Sequence, residues 1–569
     1  MAELVDAQDL KSCVEQSTCQ FDSGSRQPAF LHTQEGFFFG ENTMTFHSYS
    51  KTCAFSSIDG IRDKHVTIMG LGLNGGGEAA VRFFLKKGAY VLVTDMKTQE
   101  QLQPTIDRIA ADKDLDTSRL TYRLGEHRIE DFENADCVIK NPGVKYEGNK
   151  YLAAAKAIET DLSIFLRFTD CPIIAVTGSK GKSSTVSAIY YGLKKAGCKA
   201  FLGGNITVSP LTFFDEVNQD TPVVIEFSSW QLADLRGRGV LKPHISIITK
   251  IVPDHQNWYG NMEDYVADKR LIYADQTKGD YSIFDAEEDE LGTGPDKNLH
   301  PEADTWGNLF ASETKGTVLR YGKGPLEKDK KTDRPTYGVW QDKDSKGNFC
   351  GKVFLPHMTK PEIILKGLSV PGEHMKINVL NAALVLYLMG IPAEKTAEIC
   401  GSWTGIEHRL QFFHQYKNKN KTNIKFYNDS CATVPEAAAA ATQSFGKSVI
   451  FMTGGTDKGL DLAVLSHALI QKGNLDELNE DGFIPVKDIY LLSGSATDKL
   501  LPVLNKEDVK YHGPFDSLDA LLDQAKNDLE SLDGKDQIFV FSPGATSFGM
   551  FTNEFDRGNK YMDGIKKRF

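Results

Sequence analysis

Residues 172–189 read PIIAVTGSKGKSSTVSAI, and the reading of this stretch decides the fold. An apolar run, IIAVTG, enters the turn GSKGK. The segment SSTVSAIYYGLKKAG follows, with lysines near its end and Gly197 as a helix C-cap. Strand, turn and helix in this order are what a phosphate loop requires. The usual loop has a glycine, four residues, then Gly-Lys-Ser/Thr. Gly181, Lys182 and Ser183 are in place, but Val176 stands where the first glycine belongs, and a glycine comes at Gly178 instead. Gly178 and Gly181 let backbone N–H groups face an anion, and the helix N-terminus adds partial positive charge. Lys182 can reach the β/γ-phosphates and the Ser183 hydroxyl can ligate Mg²⁺. The alternative is a glycine turn capped by serine, and the flanking strand and helix favour the phosphate loop.

Outward from this loop, the chain is an α/β protein. HVTIMGLG from His65, YVLVTD and CVIKNPG read as strands, with EAAVRFFLKKG and YLAAAKAIE as helices. VVIEFSS and ISIITKIV continue the unit that begins at IIAVTG. IKFYNDS, SVIFMTGG, DIYLLSG and QIFVFSPG belong to a third unit starting near Gly405. Strands alternating with helices imply parallel sheets. We expect an extension over 1–61 that is irregular and poorly ordered, and three domains over 62–162, 163–402 and 403–569. A polar, weakly structured insertion or set of surface hairpins is expected over about 281–366, where EKDKKTD and DKDSKGN occur. The opening AELVDAQDLKSC resembles a translated transfer-RNA gene, so the native start is expected downstream, for instance at Met44.

The 569 residues suit three or four domains. A net charge of -12 argues against a nucleic-acid binder. Nine scattered cysteines without a C-x-x-C pair fit reduced thiols in a cytoplasmic protein. No run of about 18 apolar residues predicts a membrane helix, and no secretory signal opens the chain.

Gly70, Gly72 and Gly75 form G-x-G-x-x-G after a strand and before a helix, with Asp95 ending the next strand. Read alone, this is a Rossmann-like unit, and a nicotinamide-dependent oxidoreductase is one reading of it. That reading leaves the phosphate loop without a role.

The T-G-x-x-G-K-S loop resembles that of the Mur ligase family, and further motifs match in order over about residues 62–569. VVIEFSSWQL carries Glu226, and LGGNITVSP carries Asn205. IVPDHQNWYG carries His255, and EDYVADKRLIY carries Lys269. The resemblance implies ATP contacts from Gly178, Ser179, Lys180, Gly181, Lys182, Ser183 and Ser184. It implies Mg²⁺ held by Ser183, Glu226, His255 and a carbamylated Lys269. Lys182, Asn205, His255, Lys269 and Arg409 are the implied catalytic set. Arg409 lies in TGIEHRL, and Asp429 in FYNDSCATV matches a nucleotide contact. In GEHMKINVLNAALVL, Asn378 matches an adenine-side asparagine; Met375 replaces another, and Asn381 is a second candidate.

Within that family the glycine-rich first unit implies a site for a UDP-linked substrate, lined by Leu73, Asn74, Asp95 and Lys97, with Asn205 also near the substrate. The turn Asn141–Val144, NPGV, matches another substrate-side feature. The ending SPGATSFGMFTNEFDRG points to the D-glutamate-adding branch. Thr433, Lys458, Ser547, Phe551 and Phe555 then form the amino-acid site. Cys431 departs from the pattern, because that branch often has lysine there, and a neutral cysteine cannot bind a carboxylate as lysine does. The resemblance implies a cytoplasmic, monomeric ligase. It would use ATP to join D-glutamate to UDP-N-acetylmuramoyl-L-alanine in peptidoglycan precursor synthesis, with no nucleic-acid or membrane partner. Open alternatives are a sister ligase adding another amino acid, a folylpolyglutamate-synthetase-like ligase, and a noncatalytic nucleotide-binding module.

Overall fold

The computed structural model describes residues 46–569 except 74, 207, 288, 290, 291, 329–332, 471–484 and 535. Apolar runs bounded by glycine and polar turns build twenty strands in three sheets among these residues. The described chain falls into two compact units. One holds the residues up to Val186 with Gly197–Gly322 and Leu326–Gly338; the other holds Ser187–Ala196, Lys323–Pro325 and Val339–Phe569.

The first unit contains a five-stranded sheet of β1 (His65–Met69), β2 (Tyr90–Asp95), β3 (Leu120–Leu124), β4 (Cys137–Lys140) and β5 (Ile158–Glu159), in the order β3-β2-β1-β4-β5. All its pairings are parallel. Strand order reverses between β1 and β4, which makes a crevice at their C-terminal ends, where ligands of open α/β sheets bind. The helix Gly76–Lys86 packs close behind β1 because Gly77 has no side chain: a Cβ there would lie 2.3 Å from the Leu71 carbonyl oxygen. The expected helix YLAAAKAIE is shorter than its apolar run. Lys150–Ala154 is helical, Ala155 turns extended, and Ile158–Glu159 joins the sheet.

The second sheet contributes β6 (Ile173–Thr177), β7 (Phe201–Gly204), β8 (Val223–Glu226), β9 (Ile245–Ile248), β10 (Tyr281–Asp285) and β11 (Thr317–Gly322) to this unit, in the order β11-β10-β9-β6-β8-β7. β6 is parallel to both neighbours and buried at every position. Val176 is one of these positions, paired with Glu226 and Ile247, so the loop proper begins at Gly178.

Two expectations are corrected. Residues 46–61 are folded: Phe55 and Ile61 are buried in the same core as β1, and Tyr49 N–H donates to the Arg236 carbonyl oxygen. Their aromatic residues find partners far along the chain, which local polarity does not reveal. Residues 1–45, with Met44, lie outside the described residues. The 281–366 segment is not weakly structured. It carries β10, β11, the helix Trp306–Glu313, β12 (Gly338–Lys343), β13 (Phe349–Phe354) and β14 (Glu362–Lys366). Trp306, Phe310, Leu319 and Tyr321 are buried between its charged turns.

In the second unit β12, β13 and β14 lie side by side, β13 and β14 as an antiparallel hairpin. The third sheet comprises β15 (Gln411–Lys417), β16 (Asn423–Asn428), β17 (Val449–Gly454), β18 (Val486–Leu492), β19 (His512–Phe515) and β20 (Gln537–Phe541), ordered β15-β16-β20-β17-β18-β19. Only the edge strand β15 is antiparallel to its neighbour.

Candidate active site

The phosphate loop leaves β6 at the point where its strand order reverses. Gly178 has φ +142°, and a Cβ there would meet Thr249 Oγ1 at 2.0 Å, so the turn admits only glycine. Gly181 also has positive φ, and the helix Lys182–Ala196 starts directly after it. The first N–H groups of such a helix have no carbonyl partner within it. The N–H groups of Ser179 and Lys180 do not face an anion, contrary to the simple loop picture. They donate to the Lys250 carbonyl oxygen at 2.9 and 3.3 Å, because the loop curls over the end of β9. Ser179 Oγ donates to the Val252 carbonyl oxygen, and its own carbonyl accepts from Lys182 Nζ at 3.0 Å. Lys180 is exposed and lies 3.4 Å from Asp254. Ser183 is half-buried and Ser184 buried in the first helical turn.

Around this loop the structure gathers several of the expected residues. Glu226 ends β8 and is buried; Asn205 Nδ2 donates to its Oε1 at 2.9 Å, while Asn205 N–H donates to its carbonyl oxygen. Ser228 and Gln231, which match the same motif, form a reciprocal helix cap. Lys269 is buried on the helix Met262–Arg270, and its Nζ donates to the Gly178 carbonyl oxygen at 2.9 Å. The same Nζ lies 4.4 Å from the Tyr265 ring centre, and Tyr265 Oη donates to Ser179 Oγ. His255 has a left-handed backbone, φ +49°, and its ring packs against Trp230 and Tyr265. Such backbone strain in a non-glycine residue is often found at functional sites.

These residues suit a magnesium nucleotide. Mg²⁺ prefers oxygen donors and is usually held by one or two carboxylates together with substrate phosphates. Glu226, fixed by Asn205 at a strand end, and the Ser183 hydroxyl are such donors. Among the described residues no three His, Cys, Asp or Glu side chains converge into a preformed metal cage.

In the first sheet Asp95 has both carboxylate oxygens engaged. Oδ2 accepts from Leu71 and Gly72 N–H, and Oδ1 from Lys97 N–H. It therefore braces the glycine loop. Leu73 is exposed, Lys97 is half-buried, and Asn74 lies outside the described residues.

In the second unit the third sheet gathers another set. Asp429, buried after β16, accepts from Leu410 N–H and from Ser542 Oγ at 2.6 Å. Burial pushes its carboxyl up to about 7, against the pull of these donors and of Arg409 and Arg557. Arg409 sits between His408 and Leu410, both at positive φ. Burial likewise holds the Cys431 thiol up at about 11, so it is a neutral side chain near pH 7. Ser547 is buried, and its carbonyl accepts from Phe551 N–H. Phe555 meets the His408 ring edge-on. Thr433 N–H donates to the Cys431 carbonyl oxygen, and Lys458 is exposed. Asn378 is buried with its Nδ2 near Met375 Sδ. Asn381 is more deeply buried, and neither atom of its side-chain amide finds a hydrogen-bond partner among the described residues.

Sequence reading treated Arg557 only as part of an ending motif. It is 1% exposed and donates to two carbonyl oxygens, Ser430 at 2.8 Å and Ala545 at 3.0 Å. It thus ties the Asn428–Thr433 loop to the loop bearing Ser547. Gly558 beside it is equally constrained: a Cβ would lie 2.2 Å from His408 Nδ1 and Ser430 Oγ.

Two family models match this architecture: the Mur ligase MurD-like N-terminal domain over residues 64–162, and the Mur ligase middle domain over 176–386. The chain belongs to the Mur ligase family, whose members form amide bonds at the expense of ATP. A protein of Treponema pallidum (strain Nichols) named UDP-N-acetylmuramoylalanine–D-glutamate ligase is 38% identical, the match covering 89% of this chain and 98% of that one. A protein of the same name from Borreliella burgdorferi (strain ZS7) is 36% identical with the same coverage. A crystal structure of UDP-N-acetylmuramate-alanine ligase from Thermotoga maritima matches with a TM-score of 0.46 at 17% identity, covering 89% of this chain and 99% of that one. No helix among the described residues is long and apolar enough to cross a membrane.

Proposed function

We infer that this chain is the ATP-dependent ligase that joins D-glutamate to UDP-N-acetylmuramoyl-L-alanine in peptidoglycan precursor synthesis. The observation that carries this reading is the 38% identity extending over 98% of a relative so named. The ending that runs to Arg557 and Gly558 supports the D-glutamate branch. The expected domains take the UDP substrate (62–162), ATP (163–402) and the amino acid (403–569).

The reaction has two steps. An oxygen of the alanine carboxylate attacks the γ-phosphorus of ATP, the bond to the bridging oxygen breaks, and ADP leaves. The amine of D-glutamate then attacks the acyl carbon, loses a proton, and phosphate leaves. The first step brings two anions together, so cationic and hydrogen-bonding groups set its rate. Lys182 and the N–H groups of Gly181, Lys182, Ser183 and Ser184 grip the phosphates, and Arg409 clamps the transferring group. Mg²⁺, held by Ser183 and Glu226 and by His255 with a carbamylated Lys269, supplies charge neutralisation when bound. The burial of Lys269 favours its neutral amine, the form that combines with CO₂. Asn378 or Asn381 contacts the base, and Asp429 the nucleotide. Leu73, Asn74, Lys97 and Asn205 face the UDP substrate, with Asp95 bracing their loop. Thr433, Lys458, Ser547, Phe551 and Phe555 receive D-glutamate. We propose that the enzyme works as a cytoplasmic monomer.

The test is ATP-dependent phosphate release with UDP-N-acetylmuramoyl-L-alanine, screened over D- and L-amino acids. Release with D-glutamate is expected. Release only with another amino acid identifies a sister ligase, and no release with any overturns the reading.

A further inference from the structure

The crevice between β1 and β4 is flanked by the glycine loop after β1 and the turn Asn141–Val144 after β4. The two are in contact: a Cβ on Gly70 would lie 3.5 Å from Asn141 Cβ. Beneath the turn sits Lys140, the last residue of β4, only 3% exposed. Its ammonium donates to the carbonyl oxygens of Asn141 (3.1 Å) and Val144 (2.7 Å), and lies 2.8 Å from Asp234 Oδ2. A lysine has three N–H donors, and three acceptors surround this one. Asp234 is itself buried and held: Tyr49 Oη donates to its Oδ1, and Arg238 Nε donates to its carbonyl oxygen. Arg238 in turn pairs with the buried Glu159 of β5 at 2.8 Å.

A buried ammonium is expensive unless fully partnered, and here its partners define one conformation of the turn. We propose that Lys140 is a positioning residue for the UDP-linked substrate: by binding both ends of the Asn141–Val144 turn and Asp234, it sets the wall of the β1/β4 crevice. This deepens the function proposed above and rests on it. The residue lies within the first unit and is outside the set assigned to the reaction. Phe46, His47 and Tyr49, together with Val144, Trp230 and Trp258, line a cavity that Lys140 and Asp234 also border. The same buried cluster therefore shapes both the turn and that cavity.

The experiment compares the full chain with Lys140→Met and with the double variant Lys140→Met/Asp234→Asn. The readouts are Tm, calorimetric Kd for UDP-N-acetylmuramoyl-L-alanine without ATP, and KM for ATP. The single variant strands the Asp234 charge and should lower Tm. The double variant removes both charges and should recover much of that loss. In both, Kd for the UDP substrate should rise on the order of tenfold, about the worth of one charge-assisted hydrogen bond, with KM for ATP within about twofold. If the double variant recovers Tm and also binds the UDP substrate as the parent does, Lys140 is structural only and the proposal fails. If the double variant does not fold, Lys140→Arg, which keeps the charge but misfits the three acceptors, decides on the same Kd criterion. A parent chain that does not bind the UDP substrate would overturn the functional reading instead.

Discussion

The Lys269 ammonium lies 2.9 Å from the carbonyl oxygen of Gly178, so the helix Met262–Arg270 is tied directly to the first residue of the phosphate loop. Tyr265 on the same helix reinforces this tie through Ser179. Lys269→Ala should lower kcat on the order of a hundredfold or more, the scale of losing one electrostatic contribution to a transition state. If a carbamate forms there, short carboxylic acids added to the assay should restore part of the rate by supplying the missing anion. Indifference to such acids would remove the carbamate from the mechanism.

Lys182 reaches the Ser179 carbonyl from the first turn of the loop helix. Lys182→Ala should reduce phosphate release by about a thousandfold, as expected when a phosphate-binding cation is lost. Calorimetric affinity for the UDP substrate should stay within a few-fold of the parent. Parallel loss of both would point to misfolding or to a different assignment of the domains.

Gly178 tests the loop geometry. Gly178→Ala places a methyl group against Thr249 Oγ1 at a positive φ that alanine resists. ATP turnover should be abolished while secondary structure by circular dichroism is retained. A variant with normal KM for ATP would show that the loop has another shape when it works.

Asp429 gives a pH signature. Its folded-state carboxyl titrates at about 7, and an unfolded aspartate near 3.9. Between these values the folded chain binds more protons than the unfolded chain, so this group's contribution to stability falls as pH rises from about 4 to about 7 and is flat above. Asp429→Asn removes this slope. Tm measured at pH 5 and at pH 7.5 should fall more for the parent than for the variant; equal falls would refute the buried, raised carboxyl.

Arg557 holds two loops by their carbonyls. Arg557→Met leaves both acceptors without this donor and should cost about 2–4 kcal/mol of stability. KM for D-glutamate should rise more than KM for ATP, because Ser547 and Thr433 sit on the loops it joins. An equal rise in both would assign Arg557 to general stability alone.

What could be read without coordinates was whatever is local. β6, β8, β16, β17 and β20 are short apolar runs ended by glycine or polar turns, and they fold as strands. The phosphate loop is a contiguous motif, so Gly178 and Gly181 stand out in a single line of text. Glu226 and Asn205 lie 21 residues apart, and a resemblance was needed to suggest that they meet. Lys140 with Asp234, and Arg557 with Ser430, are joined over longer separations still, and neither residue has a periodic or compositional signal. Trp306 and Tyr321 were hidden by the charges around them. Ser179 reads as a phosphate contact, but its hydroxyl faces Val252 and Tyr265 because the loop curls over β9.

The packing of residues 46–61 bears on how this enzyme can be shortened. A version begun at residue 62, close to where the match to the MurD-like N-terminal domain starts, would lose Tyr49 from Asp234 and Phe55 from the core. It would also uncover the face of Tyr146 on which the His47 ring is stacked, 3.4 Å between ring centres. The safe trimming point therefore lies ahead of Phe46, and activities measured on shorter versions would report a molecule with one wall of its substrate-side cavity missing.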